Sequence, residues 1–288
     1  MSFHLCWTID CESTRKEIGD VNLGENAIRG FAELLEQRNW RGTFFLVPGE
    51  VEPFADLLKA LSEKGHEIAL HLHPDELSSE GPYLGSYSGA AQEAMIRQAQ
   101  DHFEKHLGTR PVSFRPGFCS ANDATFVAMS RCGVRQASAS MPGRRMTTAA
   151  SHWAGAPLFS HYANPHNRFL SGGLDLVEIP ISVDWESMIW GGIHPQDLRV
   201  EFTDSKNHGF LIEKIMKRQV HEGLPFKALV VLTHNLFRFA DTGDFRRTTM
   251  LGMMDSMERV ARDLKVDTAG TTLAAAAAAF RSAVPFRG

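Results

Sequence analysis

Two carboxylates separated by one residue follow an apolar run near the beginning of the sequence. Asp10 and Glu12 lie in the stretch TIDCE, at the end of the run FHLCWTI. A solvated surface would carry more polar neighbours, and a core strand gains nothing by burying two unpaired acids. The pair therefore predicts a site that needs charge, for proton transfer or for binding a metal ion.

Two histidines close another apolar run, in the stretch HLHPDE. His71 and His73 are two residues apart, so on a strand their side chains point to the same face. Two imidazoles and a carboxylate make a metal site with open positions for water and substrate, and Glu12 or Asp10 could supply that carboxylate. The alternative is an exposed polar turn that Pro74 opens.

Four further groups directly follow predicted strands: Arg115, Asp184, Trp185 and His234. Each also has a structural explanation without a function. Arg115 could form a surface ion pair, and Asp184 could cap a helix. Trp185 and His234 could pack in the core with the polar end of the side chain hydrogen-bonded. None of these explanations accounts for the position of all the groups at strand ends. In a βα-barrel these ends meet at one mouth, where active sites are built, so we expect the groups to converge on one pocket.

The elements that must position these residues alternate regularly along the chain. Apolar runs predict strands over 3–9, 42–47, 66–72, 111–116, 134–139, 174–182, 227–233 and 264–267. Amphipathic spacing predicts helices over 26–39, 51–65, 88–108, 122–133, 195–221 and 246–263, and the Ala-rich stretch 274–280 predicts a terminal helix. This alternation indicates α/β architecture with parallel strands, closed or nearly closed into a barrel, in a single domain. The irregular stretch 140–174 is long for a connection between elements and predicts a lid or binding loop.

Composition limits the function classes. The chain has 288 residues, 43% of them hydrophobic and 22% charged, with a formal net charge of -4, so it predicts a globular protein that is not a nucleic-acid binder. The four cysteines lack CxxC spacing and are expected to be reduced thiols. No apolar stretch reaches the roughly 18 residues of a membrane span, and the first residues lack a signal-peptide pattern. We therefore expect a cytoplasmic protein.

Six motifs, in this order along the chain, resemble those of the metal-dependent polysaccharide deacetylases, carbohydrate esterase family 4 (NodB-like). They are TIDCE, RGTFFLVPG, GHEIALHLHPDEL, FRPGF, DWES and VVLTHN. The resemblance covers most of the chain and implies a distorted (β/α)7 barrel in which residues 1–288 form one catalytic domain. The reaction that it implies is hydrolysis of an N-acetyl group on a sugar.

The resemblance assigns the metal ligands, with two departures from the usual pattern. The family usually has adjacent aspartates in its first motif, but Cys11 stands at the second position here, so Asp10 is assigned as the base and Glu12 as a ligand. A Cys11 thiolate is the alternative ligand. The family's two histidines are usually four residues apart, so either His73 joins His71 after a shortening, or Asp75 is the third ligand. A divalent metal, Zn²⁺ by ligand type, is the expected cofactor.

The remaining roles also follow from the resemblance. Arg115 would pair with Asp10, and Asp184 would pair with His234, the general acid. A backbone N–H near Phe118 would hold the oxyanion, and Trp185 would wall the acetyl pocket. Two aromatic residues of the 140–174 stretch could stack on a sugar ring, namely Trp153 and Tyr162; the alternative is an irregular crossing loop.

The expected substrate is an N-acylated sugar or oligosaccharide, linked to a nucleotide or a lipid and used in surface-polysaccharide assembly, such as O-antigen or capsule. Two alternatives remain. One is a deformylase or another amidase acting on a similar sugar. The other is a non-catalytic carbohydrate-binding relative that has lost the metal.

Overall fold

A computed structural model of the protein describes residues 2–77, 81–188 and 194–287. The strands of these residues are β1 (Ser2–Cys11), β2 (Thr43–Leu46), β3 (Glu67–Leu72), β4 (Ser113–Pro116), β5 (Gln136–Ala137), β6 (Arg145–Met146), β7 (Ser151–His152), β8 (His161–Tyr162), β9 (Val177–Glu178), β10 (Val183–Met188), β11 (Pro195–Asp197), β12 (Lys227–His234) and β13 (Asp267–Thr271). The α-helices are α1 (Val21–Glu36), α2 (Pro48–Val51), α3 (Ala55–Glu63), α4 (Gly89–Leu107), α5 (Thr125–Arg131), α6 (Ser205–His221), α7 (Phe245–Leu264) and α8 (Leu273–Ala283).

Seven parallel strands form the central sheet, in the order β12-β1-β2-β3-β4-β5-β9. Strand β8 adds to the β9 edge in antiparallel orientation, and β13 pairs with the first half of β1 while β2 pairs with its second half. Helices form most of the crossover connections that parallel pairing requires, and the connection from β5 to β9 is irregular. The architecture is the predicted α/β fold, a distorted (β/α)7 barrel in one domain.

The two edges of the curled sheet meet through single hydrogen bonds. After β9, the Ser182 N–H donates to the Val230 carbonyl at 3.2 Å, and the Val230 N–H donates to the Ser182 hydroxyl at 2.9 Å. Leu198 then bridges the two sides, because its N–H donates to Ser182 and its carbonyl accepts from Leu232. The barrel is thus closed by a few bonds where a regular strand pair is lacking.

Side chains of β1 alternate between two environments, as the pleat of a strand requires. Ile9 and Cys11 lie in the apolar core with no solvent exposure. Thr8 and Asp10 point the other way, and both accept hydrogen bonds from Arg115. The interior of the barrel is therefore polar near its mouth, and the apolar core lies on the opposite face of this strand.

The helices begin where the sequence supplies caps. Asp20 accepts from the N–H of Leu23 at the start of α1, and Ser88 accepts from Ala91 at the start of α4. Helix α4 ends at Gly108, whose φ of 75° is a left-handed conformation that glycine adopts without strain. The helix predicted over 88–108 agrees closely with α4, whereas the helix predicted over 26–39 begins earlier, at Val21, and the one predicted over 51–65 is divided into α2 and α3.

Two further predicted segments were wrong in detail, and the irregular stretch was confirmed. The helix expected over 195–221 begins only at Ser205, because the preceding residues form β11 and a short 3-10 turn. The strand expected over 264–267 is displaced to Asp267–Thr271, since α7 continues to Leu264. Across 140–174 the predicted irregular connection contains only two-residue strands and turns.

The described part of the chain contains no helix that is both long and apolar enough to cross a membrane. All four cysteines are buried and free of disulfide bonds.

Candidate metal centre

The ends of four strands bring the predicted chemical groups to one mouth of the barrel. In the sheet register, Asp10 of β1 lies beside His234 of β12, and His71 of β3 lies beside Arg115 of β4. A cavity of about 110 Å³ opens there. Its walls are formed by Asp10, Glu12, His71, His73, Pro116, Phe118, Cys119, Arg144, Arg199, Leu232 and His234.

Three buried side chains aim ligand atoms at one point, and we call them the cage: Glu12, His71 and His73. The Nε2 atom of His73 lies 3.1 Å from Glu12 Oε2 and 3.1 Å from His71 Nε2. One ligand atom from each residue lies within 4.8 Å of the other two. Tetrahedral Zn²⁺ with bonds of about 2.0–2.2 Å to nitrogen and oxygen would hold its ligands at such separations.

The protonation of the cage also fits a cation. His71 directs Nδ1 to the Arg115 carbonyl at 3.0 Å, which leaves Nε2 facing the cage. Burial lowers the pKa of His71 to about 4, so its imidazole is neutral at neutral pH. Burial alone would raise the pKa of Glu12, but the hydrogen bond with His73 and the neighbouring imidazoles lower it. The cage thus combines an ionised carboxylate with a neutral imidazole, His71, and these are the forms in which both residue types bind a metal ion.

The alternative ligands lie elsewhere. Asp75 Oδ2 accepts from Arg15 Nη2 at 3.1 Å and is not part of the cage. Cys11 is buried in the apolar core, and burial raises the pKa of its thiol well above the ordinary value. The geometry therefore favours His73 as the third cage residue.

Arg15 was missed by the sequence analysis, although it lies only three residues after Glu12. Its Nη1 atom lies 3.2 Å from Glu12 Oε2 and 2.8 Å from His73 Nδ1. Glu76 lies near its Nε atom at 3.7 Å. The guanidinium thus supplies positive charge beside the cage and joins the loop after β1 to the turn after β3.

A buried carboxylate fixes the loop that carries Glu12. Glu50 accepts from the N–H and the hydroxyl of Ser13 and from Asn235 Nδ2 at 2.9 Å. Asn235 in turn accepts from the Glu12 N–H at 2.8 Å, and its own N–H donates to the Asp10 carbonyl at 3.0 Å. These hydrogen bonds fix the backbone of the loop after β1, and they thereby hold Glu12 at the mouth of the barrel.

Asp10 pairs with Arg115, as expected. Arg115 Nη1 donates to Asp10 Oδ1 at 2.7 Å, and the guanidinium is held further by the carbonyl and hydroxyl of Ser138. Burial tends to raise the pKa of Asp10, but Arg115 and nearby imidazoles lower it. Asp10 is therefore an ionised carboxylate, 3.9 Å from His71 Nε2 at its second oxygen.

His234 has a different partner from the one expected. Glu201 Oε1 lies 2.6 Å from its Nδ1, and Glu201 Oε2 accepts from the Thr233 hydroxyl at 3.0 Å. Burial would lower the pKa of His234, but Glu201 raises it. The opposite ring nitrogen, Nε2, lies 3.9 Å from Glu12 Oε1. The Nε2 edge of the imidazole therefore faces the cage, and Glu201 lies at the opposite edge.

The expected pairing of Asp184 with His234 was wrong. Asp184 lies on β10, which forms an antiparallel pair with β11, and it binds Lys214 at 2.6 Å and the hydroxyl of Ser187. Glu201 lies in the 3-10 turn after β11. This segment runs beside β12, because Arg199 forms an isolated β-bridge with Leu232. The sequence analysis did not consider Glu201, because this residue fell inside the helix predicted over 195–221, whereas the structure places it in a 3-10 turn.

Of the four predicted substrate-binding residues, only Phe118 lines the cavity. It is 39% exposed, adopts a positive φ of 58°, and its ring lies 5.0 Å from that of His73. Its neighbour Gly117 packs so closely that a Cβ atom there would overlap the His73 imidazole. This turn after β4 therefore both positions His73 and presents Phe118 to the cavity.

The other three aromatic residues lie away from the cage. Trp153 is 1% exposed, with its Nε1 donating to the Cys119 carbonyl at 2.7 Å, so its ring is part of the core. Tyr162 donates to the Val284 carbonyl and lines a separate apolar cavity beside Phe226, which precedes β12. Trp185 is 56% exposed, and Arg218 lies over its ring. Among the described residues, these three do not line the cage cavity.

The fold and the site together define a distorted (β/α)7 barrel with a candidate metal cage at its mouth. The family model described as polysaccharide deacetylase matches residues 19–137. This match supports a relationship to polysaccharide deacetylases over that part of the chain, which includes His71, His73 and Arg115. None of the curated proteins matches the sequence.

Solved structures share the fold at low sequence identity. A Mycobacterium smegmatis protein described as a polysaccharide deacetylase is 17% identical to this chain. The two structures align with a TM-score of 0.65 over 97% of this chain and 90% of the M. smegmatis chain. The allantoinase PuuE is 13% identical, with a TM-score of 0.65 over 99% of this chain and 92% of its own. A Bacillus anthracis protein described as a pseudoenzyme of carbohydrate esterase family 4 is 10% identical, with a TM-score of 0.51 over 96% of this chain and 66% of its own. At these identities the likeness establishes the fold alone.

Proposed function

We propose that the protein is a metal-dependent hydrolase that removes an N-acetyl group from a sugar. One observation carries this proposal: the cage, the Asp10–Arg115 pair and the His234–Glu201 pair all face one cavity. A carboxylate base and an imidazolium acid on either side of a metal site are the groups that amide hydrolysis needs. The family match over residues 19–137 supports the same reaction.

The cage residues Glu12, His71 and His73 would hold the ion, and we propose Zn²⁺ because of its preference for imidazole and carboxylate in tetrahedral geometry. When bound, the ion supplies Lewis-acid chemistry, which polarises an amide carbonyl and makes water more acidic. The N–H of the His71 ring that faces the Arg115 carbonyl keeps the ligand nitrogen free of a proton.

The proton transfers are assigned to the two buried pairs. Asp10 takes a proton from the attacking water, whose oxygen forms the new bond to the acyl carbon. Arg115 holds the carboxylate in place and keeps it ionised. His234 donates its proton to the leaving nitrogen as the carbon–nitrogen bond breaks, which yields acetate and the free amine. A backbone N–H near Phe118 is proposed to bind the oxyanion.

The finer points of the function are extensions of this proposal. We propose that residues 1–288 act as one catalytic domain, in the cytoplasm, on a sugar destined for a surface polysaccharide such as O-antigen or capsule. The domain and the surface-polysaccharide role rest on the sequence resemblance, and the location rests on the expectation of reduced cysteines.

A deformylase or another amidase is the second candidate. The same cage and proton-transfer groups would serve hydrolysis of a formyl group, which differs from acetyl only in lacking the methyl group. A non-catalytic sugar-binding protein is the third candidate, and the complete cage argues against it.

Metal content and product release test the proposal. We expect the purified protein to contain about one divalent ion per chain, and to release acetate from N-acetylglucosamine oligomers in a reaction that a chelator stops and Zn²⁺ restores. His73→Ala should lose both the ion and the activity. Asp75→Ala is the matched control and should retain the ion, because Asp75 binds Arg15 outside the cage.

Other outcomes identify the alternatives. Release of formate from the N-formyl oligomers without release of acetate would establish the deformylase. Wild-type protein that binds no divalent ion, even after incubation with Zn²⁺, would overturn the metal-dependent reaction. Loss of the ion in Asp75→Ala together with its retention in His73→Ala would reassign the third ligand.

A further inference from the structure

A second cavity adjoins the cage cavity and shares part of its wall. This side cavity has a volume of about 350 Å³, and three residues line both spaces: Phe118, Arg144 and Arg199. The rest of the side cavity includes the apolar side chains of Met141, Met146 and Phe202, and one carboxylate, that of Asp197. A substrate group that extends past the reacting acyl group would therefore enter a space that contains two guanidinium groups.

Arg144 is a buried cation without an anionic partner in the described part of the chain. The residue is 8% exposed, and its Nε atom has no hydrogen-bond partner. Its Nη1 and Nη2 atoms contact only sulfur, at 3.7 Å from Met141 Sδ and 3.2 Å from Met146 Sδ. A guanidinium carries five N–H donors, and thioether sulfur is a weak acceptor. A buried charge with such partners is costly unless an anion completes the site.

In the described part of the chain, no neighbouring acid forms a salt bridge with Arg144, although Asp197 lies close enough for the charge of Arg144 to lower the pKa of its carboxyl. Each neighbouring acid already lies next to another cationic group, in the pairs Asp10–Arg115, Glu12–Arg15, Glu201–His234 and Asp197–Arg199. The Arg199 Nε atom, 3.7 Å from Asp197 Oδ1, also lacks a hydrogen bond, so its guanidinium has donors to spare. Arg144 is thus the cation in excess at the junction of the two cavities.

We propose that the substrate carries an anionic oxygen group, a carboxylate or a phosphate, which Arg144 binds at this junction while the acylated nitrogen lies against the cage. The planar fork of arginine matches the paired oxygens of both groups. Arg199 lies on the same walls and would add a second contact. This inference rests on the proposed function for the position of the acylated nitrogen, and it narrows the substrate class from N-acylated sugars to acidic ones.

Calorimetric binding to the Zn²⁺-loaded full chain tests the inference without requiring turnover. The probes are N-acetylglucosamine, its 6-phosphate and the corresponding 6-carboxylate (uronic acid). We expect one of the two anionic sugars to bind at least tenfold more tightly than the neutral sugar, and the better of the two identifies the anionic group. Arg144→Met should abolish this preference and leave the affinity for the neutral sugar within twofold.

Two further variants keep the result interpretable. Arg29→Met, which removes an exposed arginine of α1 that pairs with Glu25, should retain the full preference. Arg144→Lys retains the charge without the fork and should show a reduced preference; it replaces Arg144→Met if that variant does not fold. Equal binding of the three sugars, binding of none, or an unchanged preference in the Arg144 variants would overturn the inference.

Acetate release, measured separately, distinguishes this failure from failure of the proposed function. A preference for an anionic sugar that depends on Arg144, in a protein that hydrolyses none of the three sugars, would contradict deacetylation and preserve the anion site. Hydrolysis of neutral and anionic sugars with equal kcat/KM would preserve the proposed reaction and contradict the anion site.

Discussion

At the scale of single residues, the proton chemistry of the site depends on which acid reaches His234. Glu201 lies 2.6 Å from Nδ1 and raises the pKa of the imidazole, whereas Asp184 forms an ion pair with Lys214. A histidine held protonated on one nitrogen by a buried carboxylate can donate from the other nitrogen. Glu201 is therefore a positioning residue, since it acts through His234.

Substitution of Glu201 should impair the reaction far more than substitution of Asp184. We expect Glu201→Gln to lower kcat by about tenfold or more, as part of the roughly 10²–10⁴-fold that general acid catalysis contributes. KM and metal content should stay unchanged, and the basic limb of the pH–rate profile should move to lower pH because the pKa of His234 falls. Asp184→Asn, the matched control, should stay within twofold of wild type. Equal loss in both variants would contradict the assignment of Glu201.

At the scale of elements, a buried acid on β9 shapes the turn that supports Arg115. Glu178 is fully buried and accepts from the N–H groups of Ala139 and Ser140 and from the Ser140 hydroxyl. The turn begins at Ser138, whose carbonyl and hydroxyl accept from Arg115. Glu178 thereby connects β9 to the group that orients Asp10, although it lies outside the cage cavity.

Glu178 should make the stability of the protein depend on pH. Burial raises its pKa to about 7, so its contribution to stability is complete below the usual glutamate pKa and is lost as the pH rises through 7. The loss between pH 4.5 and pH 8 should be about 3 kcal/mol, from 1.36 kcal/mol per pKa unit. Urea unfolding of wild type and Glu178→Gln across this range should show a flatter profile for the variant.

The difference between the two profiles isolates Glu178. Burial also raises the pKa of Glu76 to about 7, but this group contributes equally to both proteins. Parallel profiles for wild type and Glu178→Gln would show that Glu178 is ionised with an ordinary pKa in the folded protein.

At the scale of the whole molecule, the barrel depends on its seam as well as on its regular strand pairs. Ser182 supplies three hydrogen bonds there, through its N–H, its carbonyl and its hydroxyl, to Val230 and Leu198. The seam lies between the strand that carries Glu178 and the strand that ends at His234. Closure of the seam therefore places one side of the site relative to the other.

Removal of the Ser182 hydroxyl should destabilise the whole fold. In Ser182→Ala the buried Val230 N–H loses its acceptor, which should lower the free energy of unfolding by about 1–3 kcal/mol. Urea unfolding followed by circular dichroism measures this change. Ser282→Ala, on the exposed side of α8, is the control and should change stability by less than about 0.5 kcal/mol. A Ser182→Ala change as small as that of the control would show that the seam bond is dispensable.

The chain itself determined the alternation of elements, the barrel and most of the chemical groups at its mouth. These features are local, because strand and helix periods are visible within a few residues, and because strand-end positions of Asp10, His71 and His234 follow directly from those periods. The side on which Cys11 lies also follows from the two-residue period of a strand. Local patterns of this kind remain interpretable without knowledge of the packing.

Only the tertiary structure decided which groups meet across the mouth. It placed Glu201 beside His234 and Arg15 beside the cage, and it buried Trp153 in the core. Among the described residues, it also left the Nε atom of Arg144 without a hydrogen bond. Such contacts join segments that are far apart in the chain. They depend on the paths of the connecting loops, and the local sequence of a loop does not determine its path. The physical reason is that a side chain's partner is set by the packing of the whole barrel, whereas its place on a strand is set by its neighbours in sequence.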